Sequence, residues 1–173
     1  MEPKFQSDFE DMAHARALLP TPQGSRSFPF VELQQCLSSQ VAIISPFVDQ
    51  LMCFIARYCD LEESESEIEL ALREALVNAI IHGNQEDLQK RVYVTCRCTM
   101  DGEVSITVED EGQGFEDTTV ADPTTAENLQ NSHGRGIYLM KAFMDKVRFE
   151  QGGAMVVLRK KCNPATSAKR KLQ

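Results

Sequence analysis

Glu74, Asn78 and His82 recur at intervals of four along Glu74-Ala75-Leu76-Val77-Asn78-Ala79-Ile80-Ile81-His82-Gly83. On an α-helix each step of four residues turns the chain by only about 40°, so these side chains form one polar stripe. Ile68, Leu72, Ala75, Leu76 and Ala79 fall on the neighbouring apolar face, which puts the stripe at the border of a core. A carboxylate and an amide in that setting can hold a water, a hydroxyl or a hydrated Mg²⁺, an ion that takes one or two protein oxygens and completes its shell with phosphates. The same stripe also reads as a solvated helix flank ending in a histidine. A second group stands at Asp110. Val104, Ile106 and Val108 alternate with Ser105, Thr107 and Glu109, and Asp110 continues the apolar parity, so it points to the core side at the end of a strand. A buried carboxylate needs a partner. Gly112-Gln113-Gly114 follows and lets a ligand approach the backbone. Such a carboxylate can accept a hydrogen bond from an exocyclic amino group such as that of adenine. An ordinary Asp-Glu-Gly turn is the plain alternative. The third group is His133-Gly134-Arg135-Gly136. Glycines at a helix start leave backbone N–H groups open to a phosphate, and the helix dipole favours an anion there. A single Gly-x-Gly by itself more often makes a tight turn.

These groups need a scaffold, and the periodicity supplies one. Phe28 to Cys36 reads as a first strand, and Pro46 to Tyr58 as a helix with Phe47, Leu51, Phe54, Ile55 and Tyr58 on one stripe. An acidic turn, Leu61 to Glu67, leads into a second helix from Ile68 to Ile81, with Gly83 as its expected C-cap. Val92 to Thr99 and Val104 to Glu109 alternate as strands, joined by a hairpin turn at Asp101-Gly102. Residues 115–133 are polar and aperiodic, the pattern of a lid or a disordered segment. A third helix is expected from Gly136 to about Met144, then two closing strands, Val147 to Phe149 and Ala154 to Arg159, with Gly152-Gly153 between them. Helices on one face of a mainly antiparallel sheet make a two-layer α+β sandwich.

That domain is expected over residues 28–161. Residues 1–27 read as an N-terminal arm in which Phe5, Phe9, Met12 and Leu19 approach helical spacing before Pro20, Pro22 and Gly24 interrupt. Residues 162–173 read as a flexible tail carrying Lys169-Arg170-Lys171. The chain of 173 residues is 42% hydrophobic and 25% charged, a globular composition. With 26 acidic against 18 basic residues it carries a net charge of −8, which disfavours direct nucleic-acid binding. No apolar run reaches the roughly 18 residues of a membrane span. The acidic start, MEPKFQSDFED, lacks a signal-peptide layout, so a cytoplasmic protein with reduced thiols is expected. The Cys96-x-Cys98 pair has no second ligand pair at metal-site spacing and is expected in the core.

In combination and order, the motifs resemble those of the ATPase superfamily that includes gyrase, heat-shock chaperones, histidine kinases and MutL. Glu74 to Gly83 is similar to its N box, Asp110-Glu111-Gly112-Gln113-Gly114-Phe115 to its first glycine box, and Gly134-Arg135-Gly136-Ile137 to its second. The bacterial anti-sigma factor serine kinases are the nearest branch, matched by Phe143-Met144-Asp145 and by a short lid around Asp122-Pro123-Thr124. The resemblance covers roughly residues 28–160. It implies the histidine-kinase-like ATPase fold, with Glu74 as general base, Asn78 as Mg²⁺ ligand and His82 beside the nucleotide. It likewise implies that Asp110 binds the adenine amino group beside Gly112 and Gly114, while Gly134, Arg135, Gly136 and Ile137 hold phosphates. Two positions depart from the pattern. Ala154 follows Gly153 where many members have Thr, and Ser132 stands where some kinases of the branch carry Arg. The implied function is an ATP- and Mg²⁺-dependent serine/threonine-protein kinase that phosphorylates an anti-anti-sigma (STAS-type) regulator and holds a sigma factor. A homodimer is compatible with it. The alternative is a nucleotide-gated binding module that sequesters a partner without phosphoryl transfer. A detached histidine-kinase catalytic domain is a third reading, for which the chain lacks room for a helical dimerisation domain.

Overall fold

The computed structural model describes residues 29–61, 63–114 and 135–164, together with the backbone of 16–18. In chain order the strands are β1 (Arg16–Leu18), β2 (Phe30–Ser38), β3 (Cys59–Asp60), β4 (Arg91–Thr99), β5 (Glu103–Asp110), β6 (Lys146–Glu150), β7 (Met155–Lys161) and β8 (Asn163–Pro164). The α-helices are α1 (Ile44–Ala56), α2 (Glu65–Val77) and α3 (Arg135–Phe143). Six strands form one sheet in the order β1-β2-β4-β5-β7-β6, with every neighbouring pair antiparallel. The result is the expected two-layer α+β sandwich.

Alternation decides which face of the sheet is buried. Leu33, Cys96, Ile106, Leu158 and Val147 pair across five strands in one row. Cys96, Ile106 and Leu158 in that row are fully buried and join one core with Phe47, Leu51 and Ile55 of α1 and Ile68, Leu72 and Leu76 of α2. Each such Leu, Ile or Phe side chain contributes roughly 1.5–3 kcal/mol on burial. The other face carries Thr95, Arg97, Thr107, Arg148 and Arg159, which line a shallow polar groove remote from the helices.

Element ends differ from the sequence expectation for identifiable reasons. Helix α1 starts at Ile44, after a 3-10 turn over Val41–Ile43, so Pro46 lies inside its first turn, where no backbone donor is needed. Helix α2 begins at Glu65, three residues earlier than the apolar pattern, with Glu65 and Glu67 in the first turn, where the helix dipole favours acids. Of the N-terminal arm, Arg16–Leu18 is a strand on the edge of β2 and not part of a helix, while Phe5, Phe9, Met12 and Leu19 lie outside the described residues. At the other end, Asn163–Pro164 pairs with Cys59–Asp60, and Cys162 is buried beside them. Lys169-Arg170-Lys171 lies outside the described residues. All six cysteines are free thiols. Cys59, Cys96, Cys98 and Cys162 are buried, whereas Cys36 and Cys53 are exposed.

Candidate functional site

Beyond Val77 the second helix does not stay α-helical. Asn78–Gly83 form a π turn, in which backbone N–H groups reach five residues back, as Asn84 N–H does to the Ala79 carbonyl at 2.8 Å. The turn carries the segment across the site. At its start Asn78 and the preceding Glu74 face the N-terminal turn of α3. At its end Gly83 lies against the end of β5.

The α3 contact is close. Gly136 is buried, and a Cβ built on it would stand 2.6 Å from the Glu74 Oε2 and 3.7 Å from the Asn78 Nδ2. A glycine here leaves the start of α3 room beside the Glu74 carboxylate, with the Asn78 amide at ordinary contact distance. Arg135, the first residue of the helix, is exposed. The Ile137 side chain is only 6% exposed and belongs to the core, so any contact it makes with an anion comes from its backbone. Gly134, His133, Ser132 and the segment 115–133, with Asp122-Pro123-Thr124, lie outside the described residues.

The β5 end follows the parity argument. Asp110 is half-buried, and its Oδ1 accepts the Gly112 N–H at 2.8 Å. Burial pushes its carboxyl above the usual carboxylate range; the Gly112 hydrogen bond and the Lys90 charge act the other way, and Glu109 adds a small upward push. Gly83 packs directly on this carboxylate, where any side chain would collide with it, and a Cβ on Gly112 would meet the Gly83 carbonyl. Gly83 lies inside the π turn without a positive φ, so it is not the expected C-cap, a place that Asn84 takes. The left-handed residues that end the turn are Gln85 and Glu86, with φ of 57° and 55°. Gly114, at φ +72°, rests on the Gly152 carbonyl group and the Ala154 N. Ala154 is also next to Asp110, whose N–H donates to the Ala154 carbonyl at 2.9 Å.

The structure thus brings Glu74, Asn78 and Gly136 together at one end of the π turn and Asp110, Gly112 and Gly83 at the other, with Gly114 on the adjoining β6–β7 turn. His82 does not extend the α-helical stripe: it is exposed on the widened turn. Two residues escaped the sequence analysis. Asn84 is fully buried and Glu111 follows Asp110, and together they tie this corner through hydrogen bonds to Arg91 and to each other. An Asn after a helix-ending glycine was the only sequence signal, and it reads as an ordinary turn residue.

The Glu74 carboxylate and the Asn78 amide both lie beside Gly136 at the start of α3, and among the described residues no group of three or more His, Cys, Asp or Glu side chains forms a metal cage. Magnesium commonly binds through one or two protein ligands with phosphates and water completing the shell. Among the described residues no helix is long and apolar enough to cross a membrane.

A family model for the histidine kinase-like ATPase domain matches residues 37–160. The anti-sigma F factor of Clostridium perfringens strain 13 is 37% identical over 116 residues, 64% of this chain and 81% of that protein. The anti-sigma F factor of Heyndrickxia coagulans is 33% identical over 117 residues, 64% and 79% of the two chains. That of Bacillus subtilis strain 168 is 35% identical over 105 residues, 59% and 70%. The sandwich, the two glycine contacts and this match over most of the chain lead to one conclusion: the protein belongs to the histidine kinase-like ATPase family, in the branch that contains the anti-sigma F factors.

Proposed function

We propose that the chain is an anti-sigma factor and an ATP-dependent serine/threonine-protein kinase, which holds a sigma factor and phosphorylates an anti-anti-sigma (STAS-type) regulator. The supporting observation is the pair of seats joined by the π turn: a carboxylate and an amide against Gly136 in the first turn of α3, and a half-buried carboxylate under Gly83. In this reading Asp110 accepts a hydrogen bond from the adenine amino group, with Gly112 and Gly114 leaving room for the base. Backbone N–H groups at the start of α3, from Arg135 to Ile137, face the phosphates, and the resemblance adds Gly134 to them. His82 flanks the nucleotide from the exposed side of the turn. Asn78 would hold Mg²⁺ through its amide oxygen; bound there, the ion neutralises charge on the phosphates. Glu74 takes the proton of the attacking seryl or threonyl hydroxyl at its carboxylate and keeps that oxygen nucleophilic. The kinase works in the cytoplasm, and a homodimer would present two such sites.

The test incubates the protein with γ-labelled ATP, Mg²⁺ and a candidate regulator, comparing wild type with Glu74→Gln. Label on a Ser or Thr of the regulator, reduced about 10²–10⁴-fold in the variant, is the expected result. A wild type that binds ATP and a sigma factor but labels no regulator leaves the nucleotide-gated binding module as the function.

A further inference from the structure

Asn84 closes a circuit of hydrogen bonds beside Asp110. Its Nδ2 donates to the Arg91 carbonyl at 2.8 Å, and its Oδ1 accepts the Glu111 N–H at 2.9 Å. Glu111 answers from the other side: its Oε2 accepts the Arg91 N–H at 2.8 Å and its Oε1 the Tyr93 hydroxyl at 3.1 Å. The side chain of Asn84 is fully buried, so each of these bonds matters: an amide or N–H group left without a partner there would be costly. The Glu111 N–H belongs to the peptide unit that follows Asp110, so its direction fixes the backbone torsion on which the Asp110 side chain stands. The Asp110 N–H is held separately, by the Ala154 carbonyl.

We infer that Asn84, with Glu111, is a positioning residue for base selection, holding the Asp110 carboxylate in the one orientation that accepts from adenine and rejects guanine. This rests on the reading of Asp110 as the base-contacting group. Adenine offers an amino donor where guanine offers the O6 acceptor, so a carboxylate fixed opposite that atom attracts one base and repels the other. Guanine also carries donors at N1 and N2. A carboxylate able to swing can pair both oxygens with them, and discrimination falls. In the structure one oxygen is already engaged by the Gly112 N–H, and Gly83 packs over the group, so its remaining freedom is that of the backbone Asn84 pins. Selectivity of this kind depends on keeping the wrong pairing unavailable.

The test measures Mg-ATP and Mg-GTP affinities by titration calorimetry for wild type, Asn84→Ala, Glu111→Gln, Asp110→Asn and the Asn84→Ala/Asp110→Asn double variant. The expected result is an ATP-over-GTP ratio lowered about tenfold by Asn84→Ala, since a displaced hydrogen bond is worth about one power of ten. Glu111→Gln lowers it in the same direction by less, and Asn84→Ala changes nothing further in the Asp110→Asn background. General loosening of the fold would weaken both nucleotides alike and leave the ratio intact. A folded Asn84→Ala protein with the wild-type ratio overturns the inference, as does an equal effect of Asn84→Ala with and without Asp110. If Asn84→Ala does not fold, Glu111→Gln carries the test alone: Glu111 is exposed, and an unchanged ratio there overturns the inference. Failure of the underlying reading has a different signature, an Asp110→Asn variant that keeps the full ATP preference.

Discussion

Replacing Gly136 by Ala should make the protein slightly more stable and much less active. Gly136 sits in the first turn of α3 in ordinary helical backbone, where alanine is favoured over glycine by at most the roughly 1 kcal/mol of an interior position. Against this stands the new methyl, 2.6 Å from the Glu74 Oε2 and well inside ordinary contact, which starts near 3.4 Å. The atom in the way is the far end of a flexible and partly exposed side chain, so it can yield cheaply, by swinging about 0.8 Å or more outward. A gain of at most about 1 kcal/mol raises Tm by no more than about 2–4 °C in a protein of this size. The same displacement is serious for a general base, because misplacing a reacting group by about 1 Å costs on the order of 10²-fold in rate. The assay pairs calorimetric melting with label transfer from ATP to the regulator at saturating nucleotide. An equal or higher Tm with about 10²-fold slower transfer is expected. A variant with wild-type transfer would mean that the start of α3 does not hold Glu74 in a reactive position. A Tm fall of several degrees would mean that the methyl meets something less yielding than a carboxylate.

Three further outcomes follow from the same geometry. Asp110→Asn should melt higher than wild type near pH 7: burial raises the folded-state pKa, so ionised Asp110 opposes folding above that pKa, and the difference should vanish as pH falls through the carboxylate range and the wild-type group is protonated in both states; ATP binding should weaken in the same variant. Asn78→Ala should weaken Mg-ATP binding in calorimetry with little change in melting, since alanine suits a helical position and the side chain is only partly buried; unchanged Mg-dependence would remove Asn78 from metal binding. Brief alkylation of the native protein near pH 8, followed by mass spectrometry, should modify Cys36 and Cys53 and spare the four buried thiols, among them Cys162, whose thiol burial pushes up to about 11; rapid labelling of Cys96 or Cys98 would contradict the core described here.

The sequence made the periodic parts of this molecule legible. Strand alternation placed Val104, Ile106 and Val108 inward and carried Asp110 with them, and the α2 face was readable because Ile68, Leu72 and Leu76 repeat at helical intervals. Isolated features were harder. Gly83 looked like a cap because a helix-ending glycine and a glycine packed over a carboxylate are the same letter; only the fold, which brings β5 under the turn, distinguishes them. The π turn was invisible because one extra residue per turn changes no residue type. Strands β1 and β8 are too short to alternate. Asn84 and Glu111 are 27 positions apart, so their pairing is a product of topology and not of any local pattern.

The widened turn at the end of α2 solves a problem of commensurability. Asn78 must face α3 and Gly83 must face β5, and the two are five residues apart. In an uninterrupted α-helix five residues rotate by a full turn plus about 140°, so the two ends of the segment would look in different directions. A π turn closes on the fifth residue, which returns Gly83 toward the side that Asn78 occupies. The turn works as a vernier, a single residue of offset that lets one rigid rod register against two surfaces at once. A deletion of one residue between Asn78 and Gly83 would leave the rod continuous and more regular, and would disengage one of its two ends.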